Sequence, residues 1–371
     1  MTKNNKPAIK PKIMLQFTNF GKTGGPNIST IRIMESELLR SKFEFIPLYT
    51  TIGNGPKINL KNIFRLAKEI KEKKPAIIHI SGMQNSGFQC MLAAFLGGCK
   101  IRVISLRGFT IDSIGLAPWK KYIFEYIIEP FTLLLATKIV GISDFTTKHR
   151  SVKKWGKNKT TFIHNIPPVL DYSEKNKYIR KEFGILETDV VFTTVSRIVY
   201  DKGYEILAKT IKQIFNNTKI VDIKFLIVGN GNYEPELRNL LSDEIKLNKV
   251  ILAGKRNDVM NVLSESDVFV LPTLHENLGN VFLEAMATKK ACIGTRVGGV
   301  PEVIENNITG ILIPENDTDA LSSAILKLYS NKQLRENMGD NGFVRFNEKF
   351  NADKLSRKFC NLYESLLDNI E

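Results

Sequence analysis

At 371 residues the chain exceeds what one hydrophobic core usually serves, which excludes a single small module and predicts two domains. Its 43% hydrophobic and 25% charged residues exclude a disordered chain, and no run approaches the roughly 18 uninterrupted apolar residues of a membrane-spanning helix. The formal charge of +15 is unevenly spread: residues 1–165 hold 27 Lys+Arg against 9 Asp+Glu, a balance of +18, and the rest carries −3, so the first half is expected to meet an acidic partner.

The opening MTKNNKPAIKPK is basic and polar, and the apolar run behind it is too short for a signal-peptide core, so a cytoplasmic chain is expected. Short apolar runs then alternate with helical patterns, the mark of βαβ units and parallel sheets. In the first half the strands are KIMLQFT, FEFIPL, AIIHI, IRVIS, KIVGIS and TFIH. Gly24 and Gly25 follow the first strand, where small residues let backbone approach a ligand. GKT at 21–23 has the look of a phosphate-binding loop, but that motif needs glycine at position 16 and Gln16 stands there. His79 ends a strand and is a candidate to face a cleft. LRGFTIDS puts Arg107 at another strand end, where it could neutralise a phosphate or serve the structure. From Trp119 to Leu135 the apolar residues fall in a helical stripe, for which core packing is the ordinary reading and membrane contact, helped by Lys120 and Lys121, the alternative. Cys90, Cys99, Cys292 and Cys360 show no metal or disulfide spacing and read as reduced packing residues.

Between Asn165 and Lys177 periodicity lapses, and Pro167 and Pro168 mark a linker. The strand series resumes with DVVFTTVS, DIKFLIVG, KVILAG, DVFVLP, KACIG and GILIP. Arg197 and Lys202 flank the turn after the first of these, and two cations there suit a diphosphate. GNGNYE begins with Gly229 in a tight turn but has Glu234 where a dinucleotide fingerprint needs its third glycine. The loop AGKRNDV offers Arg256 and backbone groups to a nucleotide base. Glu276 lies in the loop after DVFVLP and Glu284 one turn inside the following helix. The N–H groups near Leu278, Gly279 and Asn280 would favour an anion. Polar helices close the chain from about Asp319 to Ile370.

The segment from Leu271 to Ile304, with Glu276 and Glu284 eight positions apart, resembles the E-x7-E signature of the retaining GT-B glycosyltransferases of glycosyltransferase family 4. SRIVYDKGYEIL (196–207), FLIVGNGNYEPEL (225–237) and NNITGILIPENDTDAL (306–321) stand in that family's order and spacing. The resemblance implies an α/β GT-B fold of two doubly wound Rossmann-like domains facing a central cleft. Residues 1–170 would bind acceptor, 171–350 the donor, and 351–371 would form a helix crossing back to the first domain. It implies retaining, metal-independent transfer of a hexose-type sugar, without a cofactor, from a nucleotide diphosphate sugar to a glycan acceptor. That acceptor is expected to be lipid-linked, at the inner face of an anionic membrane, in surface polysaccharide, lipopolysaccharide or capsule assembly. Within the resemblance Arg197 and Lys202 bind the phosphates and Glu284 accepts from the ribose hydroxyls. Glu276, with the backbone of Leu278, Gly279 and Asn280, holds sugar hydroxyls and phosphate. Arg107 stands where many relatives have a histidine, and Gly25 and Gly229 approach the ligand. Lys289 and Ala291 depart from the glycine and proline usual after EAMA, so the helix end should be capped less comfortably. Asp317 and Asp319 form a D-x-D, a metal motif in other glycosyltransferases, read here as a helix N-cap. The rival functions are a nucleotide-sugar epimerase of the same fold, which would show no acceptor-dependent nucleotide release, and a basic nucleic-acid binding protein, for which no aromatic-and-basic motif is present.

Overall fold

A computed structural model of the chain describes residues 10–18, 25–50, 58–112, 116–168, 178–217 and 220–369. Gly24 and the GKT at 21–23 lie outside them. The chain divides into one unit of Met1–Ile166 with Ala352–Glu371, and a second of Pro167–Asn351.

The first unit is built on six parallel strands, β1 (Lys12–Thr18), β2 (Glu44–Thr50), β3 (Ile77–Ser81), β4 (Ile101–Leu106), β5 (Lys138–Gly141) and β6 (Thr160–Phe162), in the order β2-β1-β3-β4-β5-β6. The second has β7 (Val190–Val195), β8 (Ile223–Val228), β9 (Val250–Gly254), β10 (Val268–Leu271), β11 (Ala291–Thr295) and β12 (Gly310–Ile313), ordered β12-β11-β10-β7-β8-β9 and again parallel. Each strand falls on one of the apolar runs read from the sequence. Parallel strands carry helices on both faces, so they read as unbroken hydrophobic stretches; β10 and β11 are buried throughout. In the second sheet the chain leaves β7 for β8 and β9 on one side, then returns to β10 on the other. Loops leaving the carboxyl ends of β7 and β10 therefore diverge and open a crevice.

Two cores sandwich the first sheet. On one face Ile13, Leu15, Val103 and Val140 pack with Leu355, Phe359 and Tyr363 of the helix Ala352–Asp368, so the last helix of the chain covers the first sheet. The four cysteines are buried and free. Lys289, after the helix Asn280–Ala287, takes a φ of 60°, a left-handed conformation that costs a non-glycine residue about 1 kcal/mol. Asp317 N-caps the helix Thr318–Ser330, accepting from the Ala320 N–H at 2.8 Å, and Asp319 accepts from the Gln213 amide at 2.8 Å.

The expected core stripe at Trp119–Leu135 is corrected. The segment runs as a helix (Pro118–Ile123), a π-turn (Phe124–Ile128) and a second helix (Glu129–Leu135). Its inward face is a different set: Phe124, Ile128 and Leu133 are buried, while Trp119, Tyr122, Tyr126, Ile127, Phe131 and Leu134 point outward at 46 to 62% exposure. Both faces are apolar, and the periodicity did not say which of them the sheet would cover.

Candidate functional site

The carboxyl ends of β7, β8, β10 and β11 are held together by backbone packed too closely for side chains. Gly229 has a φ of 140° and lies where a Cβ would fall 1.8 Å from the Ser196 carbonyl oxygen; Gly203 sits equally close to that of Pro272. Gly298 and Gly299, after β11, press on the carbonyls of Glu276 and Asn277, and the Gly299 N–H donates to the Glu276 oxygen at 3.1 Å. The Asp201 carbonyl accepts from the Leu274 N–H at 2.9 Å and the Thr273 hydroxyl at 3.1 Å. The turn after β7 is thus laced to the loop after β10. The doublet Gly298-Gly299 was visible in the sequence behind a predicted strand, but its role as a seat for the Glu276 loop was not.

This lacing brings Lys202 and Glu276 together. The Lys202 ammonium donates to the Glu276 carboxylate at 2.9 Å and to the His275 carbonyl at 3.2 Å, with Asp201 at 3.6 Å. Two of its three N–H groups are so engaged, which fixes its direction. Their side chains are 13% and 22% exposed, so the pair is partly shielded from solvent. Arg197 lies exposed in the same turn. Two cations against Asp201 and Glu276 balance, so an anion here must be held by directed contacts rather than by net field.

The helix Asn280–Ala287 begins at the same edge. Its N-cap, Gly279, has a φ of 86° and supplies no capping side chain, while Leu278 before it is buried and anchors the entry. Gly279 therefore brings no side-chain oxygen to the first turn, where an anion is favoured. Glu284 lies half-buried on the next turn. Arg256 follows β9 and is otherwise occupied. Its guanidinium donates to Asp258 and Glu182 through four N–H···O bonds of 2.6 to 2.9 Å, its pKa raised first by Asp258 and then by Glu182, while Asp258 is drawn down to about 2. One N–H remains for a ligand. Among the described residues no three His, Cys, Asp or Glu side chains cluster as a metal site.

Gly25 and Arg107 belong to the first unit. Gly25 is the first residue of the helix Gly25–Glu35 after β1. Arg107 follows β4, donating to the Ser81 hydroxyl at 3.1 Å and to the Asn165 side chain, and burial draws its guanidinium down to about 10. His79, the candidate cleft residue, is instead buried: Nδ1 meets the Tyr363 hydroxyl and Nε2 the Ser105 hydroxyl, each at 2.7 Å. The helix Ala352–Asp368 covers it. Burial, reinforced by the Arg107 charge, lowers His79 to about 3. The unfolded chain takes up this proton near pH 6.5 and the folded chain does not. Stability from this group is thus complete above about pH 6.5 and lost as pH falls towards 3, at up to about 1.4 kcal/mol per unit. Denaturant melts from pH 7 to 4.5 should show that slope, and His79→Asn should flatten it.

Known proteins resemble the chain in sequence and in fold. Residues 175–345 match the family model for glycosyl transferases group 1. Over 324 residues the chain is 29% identical to the capsular polysaccharide biosynthesis glycosyltransferase CapM of Staphylococcus aureus, covering 84% of this chain and 83% of that protein. It is also 29% identical to the UDP-Gal:alpha-D-GlcNAc-diphosphoundecaprenol alpha-1,3-galactosyltransferase of Escherichia coli, over 84% and 81% of the two chains. Among solved structures, Anabaena Alr3699/HepE in complex with UDP superposes with a TM-score of 0.75 at 18% identity, over 96% of this chain and all of that one. The likeness shows the GT-B fold.

Proposed function

From a chain that is a glycosyltransferase, with its residues 175–345 in the glycosyl transferases group 1 family, we propose a retaining, metal-independent transfer of a hexose-type sugar from a nucleotide diphosphate sugar to a lipid-linked glycan, in the building of a capsular or lipopolysaccharide-type polymer. The observation that carries this reading is the meeting of Lys202, Glu276 and a helix start with glycine at its N-cap, at the edge where β7 and β10 part. As the bond between sugar and diphosphate breaks, negative charge grows on the departing phosphate. Lys202, Arg197 and the N–H groups from Leu278 to Asn280 would meet that charge already oriented, which is where such groups lower a barrier most. Glu276 fixes Lys202 and can turn its remaining lone pairs to sugar hydroxyls. Glu284 accepts from the ribose. The relatives' names support the acceptor: the Escherichia coli enzyme acts on a diphosphoundecaprenol-linked sugar. A membrane-associated position at the cytoplasmic face follows from such an acceptor.

If Lys202 and Arg197 supply the positive charge, no divalent cation is needed. Transfer measured with purified protein, nucleotide diphosphate sugar and polyprenyl-diphosphate acceptor should survive excess EDTA, and the new linkage should keep the donor's anomeric configuration. Complete loss restored by magnesium or manganese would overturn the metal-independent reading.

A further inference from the structure

The first unit carries an apolar surface that no part of the described chain covers. Trp119, Tyr122, Tyr126, Ile127, Phe131 and Leu134 follow one another at helical spacing from Pro118 to Leu135, each about half exposed or more. Solvent-facing stripes of this length signify a partner. The helix beneath them is firmly held. Glu129 is buried and accepts from the Thr110 N–H and the Ser151 hydroxyl, both at 3.1 Å, while Arg102 and Lys159 bond the carbonyls of Leu134, Leu135 and Ala136 at the far end. A stiff scaffold thus displays residues that would otherwise collapse inward.

The chemistry of the stripe and its surroundings selects the occupant. Trp119, Tyr122 and Tyr126 each join an apolar ring to a polar tip, the side chains that settle at the boundary between lipid headgroup and hydrocarbon. Residues 118–159 hold nine Lys+Arg against three Asp+Glu. Lys120 lies 5.4 Å from the Trp119 ring, and the helix Arg150–Trp155, packed beside this one, presents Lys153 and Lys154 to solvent. A second copy of the chain docking by two-fold symmetry would set this basic border against itself. An anionic bilayer would neutralise it. No helix among the described residues is long and apolar enough to cross a membrane, so the segment would lie in the plane of the interface. We propose that the outward face of Trp119–Leu134 is a membrane-docking surface, inserting its aromatic residues among the headgroups of an anionic bilayer while the lysines around it contact phosphate. The proposal rests on the lipid-linked acceptor reading and gives it a location.

The chain has two tryptophans, so Trp155→Phe leaves Trp119 as the only indole reporter. With vesicles of phosphatidylcholine and phosphatidylglycerol, Trp119 emission should shift to the blue and become shielded from acrylamide, whereas pure phosphatidylcholine should give a much smaller change. A triple substitution, Trp119→Ser with Tyr126→Ser and Phe131→Ser, should lower partitioning onto anionic vesicles at least tenfold with an unchanged melting temperature, since all three side chains are exposed. Charge reversal of Lys120, Lys121, Lys153 and Lys154 to Glu should abolish the weakening of binding that added salt causes in the unaltered protein. Cosedimentation with Trp119 emission unchanged would overturn the proposal in favour of another charged surface. A triple variant that turns from dimer to monomer in sedimentation velocity, with vesicle binding intact, would assign the stripe to a second copy. These readouts need neither donor nor acceptor, so transfer to a short-chain, water-soluble acceptor analogue tests the enzymatic reading separately.

Discussion

Alanine in place of Lys202 should lower kcat/KM for transfer by about two to three orders of magnitude, the scale of losing one oriented electrostatic contact to a transition state. The loss should fall chiefly on kcat, because the charge that Lys202 meets is greatest as the diphosphate departs. Glu284→Ala should lose a comparable factor, with a larger share in the donor KM, since ribose hydroxyls are held alike in ground and transition states. Both variants should remain folded. Lys202 pairs with Glu276 in a partly shielded position, so its removal leaves that carboxylate unpaired at a cost of about 1 to 3 kcal/mol, which a fold of this size survives. Steady-state kinetics on proteins verified by thermal melting provide the check. Rates near that of the unaltered enzyme in both would remove the donor site from the edge of β7 and β10.

The second large effect is mechanical. Gly298 has a φ of 54°, and a Cβ there would lie 1.7 Å from the Glu276 carbonyl oxygen, which is backbone and has nowhere simple to move. Gly298→Ala should therefore cost about 2 to 4 kcal/mol, combining left-handed strain with displacement of the loop. Because that loop carries the partner of Lys202, activity should fall further than stability alone explains. Gly254 is the control. Its φ is 66°, similarly left-handed, but an added Cβ there meets nothing within 4 Å. Gly254→Ala should cost only the conformational term, about 1 to 2 kcal/mol. Equal destabilisation of the two variants would show that the contact with the Glu276 loop is slack.

What could be read in advance was whatever a short window of sequence encodes. Most of the described strands are runs of apolar residues, and a strand buried on both faces has no other way to be written. The pairing of Lys202 with Glu276 spans 74 positions and depends on glycines at three strand ends, so local pattern shows the two residues but not their bond. The bonds of Arg256 to Asp258 and to Glu182, 74 residues earlier, could not be read from its loop either. Periodicity at Trp119–Leu135 identified a helix with an apolar face. It was silent on the second apolar face, since what covers a helix is decided by elements elsewhere in the chain. His79 misled for the same reason: a strand-end histidine looks open until Tyr363 arrives.

That arrival has an order in time. His79 and Tyr363 stand 284 positions apart, with the whole second unit translated between them. While a ribosome is still extending the chain, the second unit, being continuous, can close its core as soon as it emerges. The first unit must wait with Ile13, Leu15, Val103 and Val140 lacking the cover of Phe359 and Tyr363. The half made first is therefore finished last, and nascent chains stalled before residue 352 should present that unclad sheet to chaperones, whereas the chain released from the ribosome should not.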